Sequence, residues 1–240
     1  MTSERGRVTG PPWHVYRREV ATQLERLRQL EPNFDPAELP DGARHPWHVD
    51  DYCHALPRES PGEPVPDGSF ETAKRLLRHY EFADPRRIRA YYWADAPLHG
   101  RDMLLEIRYL LFRVRVGVRI SEVFDEVRDI SKRAVRVWGW AYQTLDGHLE
   151  RGQMDYQVWK WFDTGEVQYR IHAVSEIAEI RNPTVRLGFR LIGRREQVRF
   201  ARRCAHRMER LVSLSLSREE AEPAPSRTDR ILASPSPDRT

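Results

Sequence analysis

Three segments of strand length follow one another in this chain, at residues 134–142, 154–162 and 167–175. The last two are separated only by Asp163-Thr164-Gly165, a hairpin signal. Parallel neighbours need a crossover of a dozen or more residues, so this spacing predicts an antiparallel meander. Upstream, residues 103–120 are β-rich. Val114, Val116 and Val118 alternate with Arg113, Arg115 and Arg119, which makes one face apolar and the other solvated. Residues 122–127 continue as strand or form a second one after a bend, and the polar stretch 128–133 reads as a hairpin turn. Residues 89–94, with Tyr91, Tyr92 and Trp93, read as a further strand.

After the meander comes a helix. Asn182 suits an N-cap and Pro183 suits the first helical position. Leu187, Leu191, Val198, Ala201, Ala205, Met208 and Val212 then keep a near-heptad stripe. Gly188 and Gly193 each weaken it by about 1 kcal/mol relative to Ala. A sheet curved around this long helix follows from that order. Two earlier helices are expected. One covers residues 13–30, with Trp13, Tyr16, Val20, Leu24 and Leu27 on one face, packing on the main domain or on a partner. The other is capped by Ser69, with Phe70, Ala73, Leu77 and Tyr80 as its stripe. Eight prolines between residues 31 and 68 exclude regular helix there, so that segment reads as a connector or wrapping arm. The division expected is residues 1–67 as N-terminal helix and Pro-rich connector, 68–216 as the main α+β domain, and 217–240 as a disordered tail rich in Pro, Ser, Glu and Arg.

Composition excludes some classes. The 240 residues are 40% hydrophobic and 32% charged, ordinary for a globular domain. No apolar run approaches the roughly 20 residues that span a bilayer, and the N-terminus leads into no apolar signal segment. The cysteines, Cys53 and Cys204, lie far apart, so no disulfide framework is expected and a cytoplasmic location fits. The net charge of +4 is weak evidence for a nucleic-acid partner. No cofactor and no metal is expected: His45, His48, Asp50, Asp51, Cys53 and His54 are ligand types, but their spacing matches no zinc pattern.

Three features carry candidate chemistry. In the first, His148 and Glu150 stand two apart and can converge with Tyr142 and Thr144, His148 as acid or base and Glu150 orienting it. The competing reading is a tight turn at Asp146-Gly147 whose polar side chains satisfy backbone groups. In the second, Trp138, Trp140 and Tyr142 share one strand face, and Trp159 and Trp161 share one face of the next. These aromatics line either an apolar cavity or the outer face of the sheet, and alternation leaves the choice open. The third is an arginine stripe that includes Arg186, Arg190, Arg194, Arg199, Arg203, Arg207 and Arg210. It reads as a solvated face or as a surface for phosphates.

Tyr142-Gln143-Thr144-Leu145-Asp146-Gly147-His148, followed by Glu150-Arg151-Gly152, resembles the Tyr-Gly-Thr-Leu-x-Gly-His…Gly-Glu-Glu signature of the domain-of-unknown-function family nineteen-ninety. The resemblance covers roughly residues 68–212. It implies the START-like (Bet v 1-like) helix-grip fold, an antiparallel β-sheet wrapped around a long C-terminal helix with a cavity between them. It also implies binding of a hydrophobic small molecule or lipid, and no known reaction. The alternatives it leaves are an enzyme acting on such a ligand through His148, and an Arg-rich nucleic-acid or protein interaction module. Gln143 replaces the family's Gly, and Gln153 and Met154 replace its Glu pair. The usual Ser-Arg-Pro after the last strand reads Ser175-Glu176-Ile177. A mechanism built on that Glu pair has no residues here to carry it.

Overall fold

The computed structural model describes residues 12–39, 47–109, 112–178, 183–217 and 231–235. Its centre is one antiparallel sheet. The strands in chain order are β1 (His48–Leu56), β2 (Ile88–Trp93), β3 (Asp102–Tyr109), β4 (Phe112–Ile130), β5 (Arg133–Thr144), β6 (Glu150–Trp161), β7 (Val167–Ile177) and β8 (Ile231–Ser234). They lie side by side as β1-β7-β6-β5-β4-β3-β2-β8. The expected meander is β5-β6-β7. The hairpin expected at 128–133 tightens to Ser131-Lys132, both with positive φ (54° and 64°), between the paired Ile130 and Arg133. Such a two-residue turn matches the right-handed twist of its strands. The register of β4 shifts between Ile120 and Glu122, a bulge that bends this 19-residue strand.

The helices are α1 (Pro12–Leu27), α2 (Ser69–Arg78) and α3 (Pro183–Ser217). On one face, α2, the turn at 79–83 and α3 pack on the sheet. Phe70, Ala73, Leu76 and Leu77 of α2 and Ala201, Cys204, Ala205, Met208 and Val212 of α3 are buried in a single core. This is the helix-grip arrangement. Ser69 is not the cap of α2. Gly68 holds that position, and the Phe70 N–H donates instead to Glu59 Oε1 at 2.7 Å. The N-cap expected at Asn182 lies outside the described residues.

The opposite face is covered by α1. Val20, Leu24 and Leu27 bury against Tyr91, Leu104 and Leu145. Arg115 reaches Glu19 at 2.7 Å, and Arg119 donates to the Leu27 carbonyl at 2.7 Å. The chain then crosses this face, where Phe34 and Trp47 pack on Val174.

Two strands of the sheet come from outside residues 68–216. The connector supplies β1, which pairs with β7 from His48↔Ser175 to Leu56↔Val167. Prolines rule out helix but leave 47–56 free to extend, and an edge strand is half-solvated, so its polar sequence shows no period of two. In the tail, Ile231–Ser234 pairs with β2 along the other edge. Its short apolar run is diluted by the surrounding Pro and Ser in any reading by composition. Residues 218–230 and 236–240 lie outside the description.

Candidate functional site

Register decides which aromatics face the grip. Trp138, Trp140 and Tyr142 pair with Val158, Tyr156 and Met154, and all six side chains point toward α2 and α3. Trp159 and Trp161 fall on the other face with Val135, Val137 and Phe124. They are covered by arginines: the guanidinium of Arg170 lies 4.1 Å from the Trp159 ring centre and that of Arg133 lies 4.3 Å from Trp161. The two tryptophan pairs therefore do not share one cavity. Trp140 is further engaged as a donor, its indole N–H meeting the Leu77 carbonyl at 3.2 Å.

Inside the grip, four tyrosines converge. Tyr80 follows α2, Tyr142 lies near the end of β5, and Tyr156 and Tyr169 stand on β6 and β7. Phe82 and Trp140 fill the space between them, with ring centres 4.7 Å (Phe82–Tyr156) and 4.9 Å (Trp140–Tyr156) apart. Tyr80 holds a positive φ of 59°, a strained conformation for a bulky residue. The hydroxyls of Tyr80, Tyr156 and Tyr169 are buried and make no well-formed hydrogen bond to a described residue, that of Tyr156 lying near the hydroxyls of Tyr80 and Tyr142, and that of Tyr142 also meets the Met154 sulfur at 3.6 Å. Burial raises the pKa of all four phenols, and the nearby Cys204 thiol, itself raised by burial, adds to the effect. They are neutral donors in search of an acceptor.

A pocket of about 300 Å³ opens at the sheet edge, between β1 and β7 on one side and α3 on the other. Tyr169 and Ile171 form its wall with Ala201 and Ala205, so Tyr169 belongs to both pocket and tyrosine cluster. At the rim, His54 Nε2 lies 2.7 Å from Glu209 Oε2, and the His54 and His206 rings stand 5.2 Å apart, edge to face. Tyr156 and Tyr169 were accessible to sequence reasoning only as inward positions of strands whose register was unknown. His54 and His206 come from segments with no shared motif.

The residues expected around His148 make separate contacts, although the Glu150 carboxylate is near enough to Tyr142 to raise its pKa. Tyr142 points into the grip, whereas Thr144, two residues on, is taken up by the arm and the neighbouring strand, donating to Asn33 Oδ1 at 2.6 Å while accepting the Gly152 N–H at 2.9 Å. His148 Nδ1 accepts the Glu150 backbone N–H at 3.0 Å, and burial pushes its pKa down to about 4. It is a neutral turn residue at pH 7. The same stretch anchors the N-terminal arm: Asn33 also donates to the Glu150 carbonyl at 3.0 Å, and the Asp146 N–H to the Glu31 carbonyl at 3.0 Å. Of the arginine stripe, Arg207 is buried and donates to the Glu81 carbonyl at 2.9 Å. The side chains of Arg186, Arg190 and Arg194 lie outside the description. No helix among the described residues is long and apolar enough to cross a membrane.

Several solved structures are similar in outline. Ara h 8.0201 covers 72% of this chain and 99% of its own at 9% identity, with a TM-score of 0.39. A Thalictrum flavumn norcoclaurine synthase point mutant in complex with a transition state analogue covers 72% and 100% at 10% identity, TM-score 0.40. Human STARD10 covers 83% and 82% at 11% identity, TM-score 0.33. Likeness at that level bears on neither site nor activity. No curated protein matches. The family model described as "Domain of unknown function (DUF1990)" matches residues 33–207, well over half of the chain and including both the Tyr142–Gly152 signature and the arm residue Asn33 that it holds. The chain belongs to the DUF1990 family.

Proposed function

We propose that this protein binds a small hydrophobic molecule carrying an oxygen acceptor, held between the sheet and α3. The observation that carries the reading is the set of three fully buried phenol hydroxyls, Tyr80, Tyr156 and Tyr169, which make no well-formed hydrogen bond to a described residue and have only one another and Tyr142 nearby. Each such group costs roughly 1–3 kcal/mol when left unpaired, a cost that a ligand carbonyl or ether oxygen offsets. The raised pKa values keep these groups protonated, so each has an O–H to donate to a ligand oxygen. The surrounding Phe82, Trp140 and Ile171 suit an apolar body. At about 300 Å³ the pocket is at the lower end of ligand-site volumes, so a ring compound fits better than a two-chain lipid.

Native mass spectrometry of freshly purified protein, with affinities for a panel of ring ketones, tests this. Tyr156→Phe and Tyr169→Phe remove a hydroxyl and keep the ring, so both variants fold. The expected result is a co-purifying mass or a panel hit whose affinity drops at least about tenfold in these variants. A bare mass, with every panel affinity the same in wild type and variants, overturns the proposal.

A further inference from the structure

We propose that His54, His206 and Glu209 form a site for one divalent transition-metal ion of the zinc class at the rim of the pocket. The three donors come from two elements. His206 and Glu209 stand three apart on α3, one turn, and so share a helix face. His54 projects from β1 opposite them, in register with Tyr169. Their donor atoms all lie within 4.8 Å of one another. Bonds of 2.0–2.2 Å at tetrahedral angles put neighbouring ligand atoms about 3.4 Å apart. The His54–Glu209 contact of 2.7 Å therefore has to open slightly and His206 has to swing inward, motions within the reach of one rotamer adjustment.

The chemistry of the set selects the ion. Two imidazoles and one carboxylate suit zinc, copper or nickel, and disfavour magnesium and calcium, which take oxygen ligands. His206 and Glu209 are exposed and give an ion access, while His54 is half-buried and fixed by its strand. Of the other charged groups lining the pocket, Arg202 stands one turn before His206 on α3, and the Asp51 carboxylate is held by His172 at 2.8 Å. Three protein ligands leave a coordination position open, and since His54 and His206 both line the pocket, that position meets whatever the pocket holds. The site shares no residue with the tyrosine hydroxyls, so it stands or falls independently of the ligand reading.

The test uses the full chain without a histidine tag, stripped with chelator and titrated with zinc by calorimetry and with cobalt by visible absorption. One ion per chain is expected, with the intense visible bands of a low-symmetry, low-coordinate cobalt site. Affinity should drop at least about 100-fold in His206→Ala and at least about tenfold in Glu209→Gln, and stay unchanged in Cys53→Ser. His206 and Glu209 are exposed, so both variants fold, which thermal unfolding without metal verifies. Absence of stoichiometric binding, equal affinity in His206→Ala, or a thiolate absorption band lost in Cys53→Ser would each overturn the assignment.

Discussion

Lys160 and Glu59, 101 residues apart, form an ion pair of 2.7 Å in which the side chains are 0% and 4% exposed. Glu59 also accepts the N–H groups of Phe70 at 2.7 Å and Val65 at 3.0 Å, and Lys160 donates to the Ser60 carbonyl at 2.9 Å. One buried carboxylate thus ties the proline-rich connector to β6 and caps α2.

Breaking this pair strands a charge in the core. Glu59→Gln leaves the ammonium of Lys160 with the Ser60 carbonyl, and Lys160→Met leaves the carboxylate of Glu59 with backbone donors alone. Each is expected to cost roughly 3–5 kcal/mol in urea unfolding. The double variant should cost clearly less than the sum of the two, because neither partner is then uncompensated. Strictly additive losses would show that the two residues do not act as a pair.

Two glycines of the family signature separate backbone strain from steric clash. Both have positive φ, 85° at Gly147 and 147° at Gly152. A Cβ at Gly147 meets nothing within 4 Å, whereas one at Gly152 lies 2.0 Å from the Val174 carbonyl oxygen. Gly147→Ala should therefore cost only about 1 kcal/mol. Gly152→Ala has to push β6 away from β7 and break the Thr144 clamp. Its expected loss exceeds 4 kcal/mol, large enough to be read from soluble yield and thermal midpoint together. Equal losses at the two positions would contradict this geometry.

His148 gives the fold a pH dependence of known sign. Its pKa is about 4 in the folded protein and 6.5 as a free side chain, so the unfolded chain binds the extra proton in between. Its contribution is complete above pH 6.5 and is lost as pH falls from there toward 4. The total is at most about 3.4 kcal/mol. Comparing urea midpoints of wild type and His148→Asn between pH 4 and 8 checks this. The variant should show a flatter profile across that window, and parallel profiles would remove His148 as the cause.

How legible these features were depended on the range of the interactions behind them. The meander, the turn at Asp163-Thr164-Gly165 and the helix beginning at Pro183 are set by local propensity and periodicity, and they stand where the sequence places them. The signature around Thr144 identified the family, but its polar side chains serve a clamp on Asn33, 111 residues away, which no local pattern encodes. His148 and Glu150 looked like chemistry because a turn that satisfies its own backbone uses the same residue types as a catalytic pair.

Taken alone, the sequence determined the antiparallel strands, the long closing helix and the family, because hydrophobic period and turn chemistry act within a few residues. Only the tertiary structure decided that Trp138 and Trp140 face the grip while Trp159 and Trp161 face arginines outside, since alternation marks two faces without saying which is covered. It also decided that both sheet edges come from segments that read as connector and tail, that three tyrosine rings meet around Phe82, and that His54 stands beside His206 and Glu209. Each of these depends on strand register and helix placement, which are fixed by the summed burial of the whole core and not by any stretch of it.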